Sequence, residues 1–251
     1  MAARTTHADA LHQAGKPQEA QNLFNEAEEL QQQMQAETPQ LQSLWGFRYC
    51  DLLLCNNQWQ EVQRRCFQTL EWLNEQTSNA SLLDPALDQL SLGRAFLQQA
   101  ILSGWTIEDI NGDETNKPNS AMQQAQKWLN KAVTALRSAG TADHLPRGLL
   151  ARATYFRHQQ QWQAAHADLQ EVLDIAQQGG MYLHLTDYHL ESARLALSQS
   201  NKKTSQEHVD AAQKLITKIG YTRRQAELDS MQTNKGTKKK STRKKQTATA
   251  A

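Results

Sequence analysis

The feature that most limits how this chain can fold is a helix–turn–helix pattern that returns along its length. In residues 5–34, Ala8, Leu11 and Gly15 are followed by Ala20, Phe24 and Ala27, broken once by Gly15-Lys16-Pro17. Small and large apolar residues at spacings of three and four share one helix face. The small ones let two helices approach, and the large ones fill the seam. Pro17 suits the first turn of the second helix, where its missing N–H loses nothing. The unit recurs in residues 40–76: Tyr49, Cys50 and Leu53, a turn at Asn56-Asn57-Gln58, then Trp59, Val62, Cys66 and Leu70. Residues 145–179 carry Leu149, Ala153 and Phe156, a polar turn at His158-Gln159-Gln160-Gln161, then Trp162, Ala165, Leu169, Val172 and Leu173. Residues 181–220 carry Ala193, Ala196 and Leu197, a turn at Ser200-Asn201, then Val209, Ala212 and Leu215. A middle unit is stretched, with Leu92, Gly93 and Phe96 separated from Ala125, Leu129 and Ala132 by an insertion at about 104–120. One such pair cannot bury its own apolar face, so neighbours must stack. The pattern predicts an all-α fold of about five helix pairs with a short last helix over Thr222–Met231.

Composition agrees with helices. Gly and Pro number only 11 and 5, too few to punctuate a strand-built chain of this length. Ala, Leu, Gln, Glu and Lys favour helix. The formal net charge of +1 hides an asymmetry, because the residues from Asn234 onward hold seven of the 27 basic residues and no acid. That leaves 20 basic against 26 acidic residues in 1–233, a mildly acidic body with a strongly basic tail. The expected organisation is one repeat domain over 1–233 and a disordered tail over 234–251 that lacks any apolar period. Cys50, Cys55 and Cys66 are too few and odd in number for a disulfide framework. Cys50 and Cys66 read as small apolar residues on helix faces. The N-terminal stretch lacks a signal-type apolar run, and no stretch is apolar enough to span a membrane. A reducing cytoplasm is the expected compartment.

The recurring unit resembles the tetratricopeptide pattern of helix pairs with small residues at fixed offsets. The first unit matches well, whereas Cys50 and Val62 replace the small residues expected later. The stretch HLPRGLLARATYFRHQQQWQAAHADLQEVLDIAQQGGMYLHLTDYHLESARLAL (His144–Leu197) resembles the C-terminal repeat arm of large bacterial signalling ATPases with an NB-ARC-type core. Ala8–Leu54 resembles an earlier part of the same arm. The resemblance implies a right-handed helical solenoid with a concave inner face, and an arm that senses an inducer or partner while the ATPase switches. The ATPase itself is missing. A phosphate loop needs G-x-x-x-x-G-K-[ST], and neither Gly15-Lys16-Pro17 nor Lys235-Gly236-Thr237 has the preceding glycine. The expectation is therefore a non-catalytic protein–protein scaffold or sensor arm, without cofactor or metal, partnering a signalling ATPase or regulator.

Each candidate for chemistry has a plainer reading beside it. His184 and Asp187 share a helix face, while His189 points elsewhere, and a polar helix surface is the simpler account. Asp109, Asn111, Asp113 and Glu114 in the insertion have the wrong spacing for a calcium loop, since Gly112 falls fourth and Ser120 twelfth. Trp59 and Trp162 occupy the same place in their units and read as packing. Trp105, in the insertion, is a candidate partner anchor. Arg147, Arg152, Arg157 and Arg194 fall on first helices of consecutive units, and first helices line the concave face in the resembled family. They are candidates for gripping an acidic or C-terminal carboxylate peptide, against the alternative of a solvated face. The tail residues Lys235, Lys238, Lys239, Lys240, Arg243, Lys244 and Lys245 supply a second functional reading, weak binding of nucleic acid or another polyanion. No aromatic interleaves them to stack on bases.

Overall fold

A computed structural model of the chain describes residues 1–75, 81–106 and 117–233. These residues are all-helical, and eleven α-helices pack in neighbouring pairs. In chain order they are α1 (Ala2–Gln13), α2 (Pro17–Met34), α3 (Ser43–Cys55), α4 (Trp59–Glu75), α5 (Leu83–Leu102), α6 (Lys117–Ser138), α7 (Leu145–His158), α8 (Trp162–Gln178), α9 (Tyr182–Ser198), α10 (Lys202–Ile219) and α11 (Gln225–Thr233). One tight helical turn, Thr222–Arg224, precedes α11. The last helix is thus shorter than the Thr222–Met231 expected from sequence at its start and longer at its end. None of the helices is long and apolar enough to cross a membrane.

The contacts form a regular scheme. Each odd helix packs on the even helix that follows it, and consecutive odd helices (α1 with α3, α3 with α5, α5 with α7, α7 with α9) touch one another as one layer. Each of α2, α4, α6 and α8 also leans on the next odd helix. Small residues make this close packing feasible. Ala8, Ala20, Ala27, Ala95, Ala125, Ala132, Ala153, Ala165, Ala193 and Ala212 are all fully buried. Gly93 on α5 lets two paired helices approach closely, since a Cβ there would sit 2.7 Å from the Leu129 side chain on α6.

Most helices stop in the same way. A residue with positive φ follows the last turn, and the next N–H reaches back to a carbonyl inside the helix, as Lys16 to Leu11, Gln58 to Leu53, Gln161 to Phe156, Met181 to Ala176 and Asn201 to Ala196. This satisfies carbonyls that the helix end would orphan. Glycine fills the left-handed position at Gly15, Gly180 and Gly220, but Asn57, Gln160 and Ser200 occupy it within three of the hairpins at φ of 58°, 55° and 61°.

Cys50 and Cys66 are buried, as their helix-face positions predicted, with sulfurs 4.0 Å apart between α3 and α4. After α10 the chain crosses the odd-helix layer. Thr222 donates its hydroxyl to the Ala14 carbonyl, 208 residues earlier in the chain, and Leu228 of α11 is fully buried in a cluster with Leu190, Val209 and Ile216. The C-terminal segment therefore contacts both ends of the array.

Candidate functional site

Helices α3, α5, α7 and α9 and the crossing segment line a half-open cavity of about 200 Å³. Its walls are built on buried charge. Asp51 on α3, 2% exposed, sits in the apolar run Tyr49-Cys50-Asp51-Leu52-Leu53-Leu54. Its Oδ1 accepts from Arg94 of α5 at 2.6 Å and from Arg223 at 3.2 Å, and its Oδ2 accepts from Arg223 at 2.6 Å. Burial alone would push this carboxyl up, but Arg223, Arg94 and Arg147 hold it well below the usual carboxylate range. His12 of α1 lies 4.0 Å away. Burial and the nearby Arg223 lower its pKa to about 3, so the imidazole is neutral and the contact is not an ion pair. Neither of its ring nitrogens has a hydrogen-bond partner among the described residues.

A second set lies across the cavity on α9. Asp187 accepts from Arg224 at 2.7 Å and from the Tyr221 hydroxyl at 3.3 Å. Burial opposes its ionisation, and Arg224 more than offsets that, so its pKa also falls. Glu191 accepts from Arg157 at 2.6 Å and from Arg194 at 3.2 Å. Glu227 pairs with Arg194 and, at 3.1 Å, with Arg224. Every oxygen of these four carboxylates is thus engaged by a donor. His184 lines the same cavity and donates Nε2–H to the Asp143 carbonyl at 3.1 Å. Burial, then Arg147, lowers its pKa, which keeps it neutral. Five guanidiniums (Arg94, Arg147, Arg194, Arg223, Arg224) therefore line the cavity against four carboxylates, one positive charge in excess.

The four arginines singled out in the sequence do lie on odd helices, but as partly covered groups rather than a solvated face. Their side chains are 13–29% exposed. Arg152 holds both oxygens of Asp168 on α8 at 2.8 and 2.7 Å, a planar two-point pair. Arg157 and Arg194 share Glu191. Among the described residues Arg147 has Asp51, at 3.8 Å, and the Phe47 ring, 5.4 Å from its guanidinium carbon. Trp105 is 8% exposed and belongs to the buried α5–α6 cluster with Ala100, Ala121 and Met122, so its ring contributes core volume there. His184 is buried and Asp187 half-buried in the charge network, which replaces the polar helix surface expected for them. The acidic cluster Asp109–Glu114 and the tail lysines and arginine from Lys235 to Lys245 lie outside the described residues.

Asp51, Arg94, Arg223 and Arg224 escaped the sequence reading. A lone carboxylate in a run of large apolar residues was the available signal, because a buried charge needs a partner. Which arginine would supply it depends on a contact across 172 residues, which no local pattern encodes. Among the described residues, no three His, Cys, Asp or Glu side chains gather into a metal-holding group. No family model matches the chain, and no curated protein matches it.

Proposed function

We propose that the chain is a non-catalytic scaffold or sensor arm, a tetratricopeptide-like right-handed solenoid of five helix pairs that offers its odd-helix layer to a protein partner such as a signalling ATPase or regulator. The observation that carries this reading is the unbroken contact of α1, α3, α5, α7 and α9 in chain order. It builds one surface from every unit and gathers the guanidiniums and carboxylates of several units on it. Charged groups already oriented by one another recognise a charged segment with little further ordering, which favours specificity. The chain's own C-terminal segment illustrates the mode, since it docks through Arg223, Arg224 and Glu227 onto Asp51, Asp187 and Arg194. The resemblance of His144–Leu197 and Ala8–Leu54 to sensor arms points the same way.

The test is quantitative binding of the partner identified by affinity capture and mass spectrometry. Arg94→Glu/Arg147→Glu on the odd-helix layer should weaken it at least tenfold. Lys131→Glu, exposed on α6, should leave it unchanged. Equal affinity for wild type and both variants would remove the odd-helix layer as the recognition surface.

A further inference from the structure

One guanidinium in the cavity is left over. The eight oxygens of Asp51, Asp187, Glu191 and Glu227 already accept from Arg94, Arg157, Arg194, Arg223, Arg224 and Tyr221. Arg147 reaches no acceptor within hydrogen-bond distance among the described residues; its nearest carboxylate oxygen is 3.8 Å away and already taken by Arg223. An arginine carries five N–H donors in a fixed planar fork that matches carboxylate and phosphate oxygens. Arg94 beside it spends a single donor on Asp51. The cavity thus combines an excess of positive charge with free donors on two adjacent helices.

A second cavity, about 350 Å³, adjoins the first and shares Arg94, Ala151, Thr154, Arg223 and Arg224 with it. Its remaining walls are mostly aliphatic, from Leu54 on α3 and Leu97, Ile101 and Leu102 on α5. The paired volumes fall within the ~300–1,000 Å³ of small-molecule sites, which are apolar with a few convergent polar groups. A charged cleft continuing into an open aliphatic groove fits a ligand with an acidic head and a short apolar body.

We propose that the joined cavities bind a small organic anion, a carboxylate or a phosphate monoester, whose head is received by Arg147 and Arg94 and whose apolar body lies against Leu54, Leu97 and Ile101. This goes beyond the scaffold reading and does not depend on it. Because Tyr221, Arg223 and Arg224 line the charged chamber from the C-terminal segment, the ligand also bridges that segment to α5 and α7. Binding should therefore slow amide exchange in residues 221–227.

Titration calorimetry on the full chain, with hexanoate, hexyl phosphate, acetate and hexanol as probes at constant ionic strength, tests the idea. Hexanoate or hexyl phosphate should bind saturably, the tighter of the two naming the head group. Either should bind at least tenfold more tightly than acetate, which lacks the body, and than hexanol, which lacks the charge. Arg147→Gln should weaken the better ligand at least tenfold while leaving the unliganded melting temperature within a few degrees. Failure of both anions to bind overturns the proposal, as does hexanol binding as tightly as hexanoate. The hexanol comparison uses the wild-type chain and decides the matter even if the variant does not fold.

Discussion

Replacing Asp51 by asparagine changes almost no volume and removes one negative charge from a site where three guanidiniums converge. In the native chain Arg94 and Arg223 donate to this carboxylate at 2.6 Å, with Arg147 at 3.8 Å. Hydrogen bonds to a charged group contribute about 1.5–3 kcal/mol each. Removing one member of a buried ion pair typically costs about 3–5 kcal/mol, because the remaining charge stays behind uncompensated. Arg94 and Arg147 are 23% and 25% exposed, so water screens part of their mutual repulsion; Arg223, at 8%, has no such relief. The expected loss for Asp51→Asn is therefore about 3–5 kcal/mol. For a folded body of this size each kcal/mol moves the melting temperature by roughly 2–4 °C, giving a fall of about 6–20 °C. Urea unfolding followed by circular dichroism gives the free energy. Amide exchange then locates it, with residues 221–231 losing protection before α7 or α8, since Arg223 is the tether to α3. Asp168→Asn is the control, because its pair with Arg152 joins two sequence neighbours, α7 and α8; it should cost about 2 kcal/mol and leave the C-terminal segment protected. A loss below about 1 kcal/mol for Asp51→Asn would refute the account and mark the cluster as solvated charge.

Other outcomes are as concrete. Gln160→Gly and Ser200→Gly place glycine at exposed left-handed positions and should each stabilise by about 0.5–1 kcal/mol in urea titrations, whereas destabilisation of both would contradict the capping geometry. Gly15→Ala adds a Cβ 2.9 Å from the Thr222 hydroxyl at a φ of +72°, so amide exchange should rise in 222–231 with α5 and α6 unchanged; unaltered exchange there would deny the contact. Asp88, buried on α5, has its pKa raised to about 7, chiefly by burial, while burial and Arg223 lower that of His12 to about 3. A raised carboxyl stabilises at low pH and loses that contribution as pH rises towards 7, and a lowered imidazole stabilises above about 6.5 and loses it as pH falls. Between pH 6.5 and 4 the two slopes oppose, each about 1.4 kcal/mol per pH unit. Asp88→Asn should therefore lose stability on acidification more steeply than wild type by about that slope, read from urea midpoints at pH 6.5 and 5.0; parallel profiles would show that Asp88 titrates normally.

The helix pairs were legible because their cause is local. Ala8, Ala20, Phe24 and Ala27 repeat at helical spacing, and the same spacing returns around Ala153, Ala165, Ala193 and Ala212, all fully buried. The turns at Gln160 and Ser200 were placed from their polar runs, but their left-handed backbone was not legible, because neither side chain carries the signature that Gly15 does; there the hydrogen bonds of the helix end overrule residue preference. The site was half legible. Placing Arg147, Arg152, Arg157 and Arg194 on first helices put them on the right layer, but the carboxylates that claim three of them could not be read from the same pattern. Trp105 read as an anchor because it lies in the insertion, and its packing against Ala100, Ala121 and Met122 of the stretched middle unit is a contact that no repeat position specifies.

Alanine-rich interfaces between stacked helices carry little positional information, since one small residue fits a seam about as well as another. Charge supplies what they lack. Arg223 and Arg224 are adjacent in sequence and take carboxylates on different helices, Asp51 of α3 and Asp187 of α9, while Thr222 beside them takes the Ala14 carbonyl and Glu227 takes Arg194. Sliding the segment by one residue would bring Thr222 or Gln225 opposite a buried carboxylate and leave an arginine without an acceptor, a penalty of several kcal/mol. The segment therefore has one register on the layer. Because that register joins α1 and α3 to α9 and α10, the spacing between the two ends of the array is set by ionic contacts, and a ligand or partner that competes for Asp51 or Asp187 acts on both ends at once.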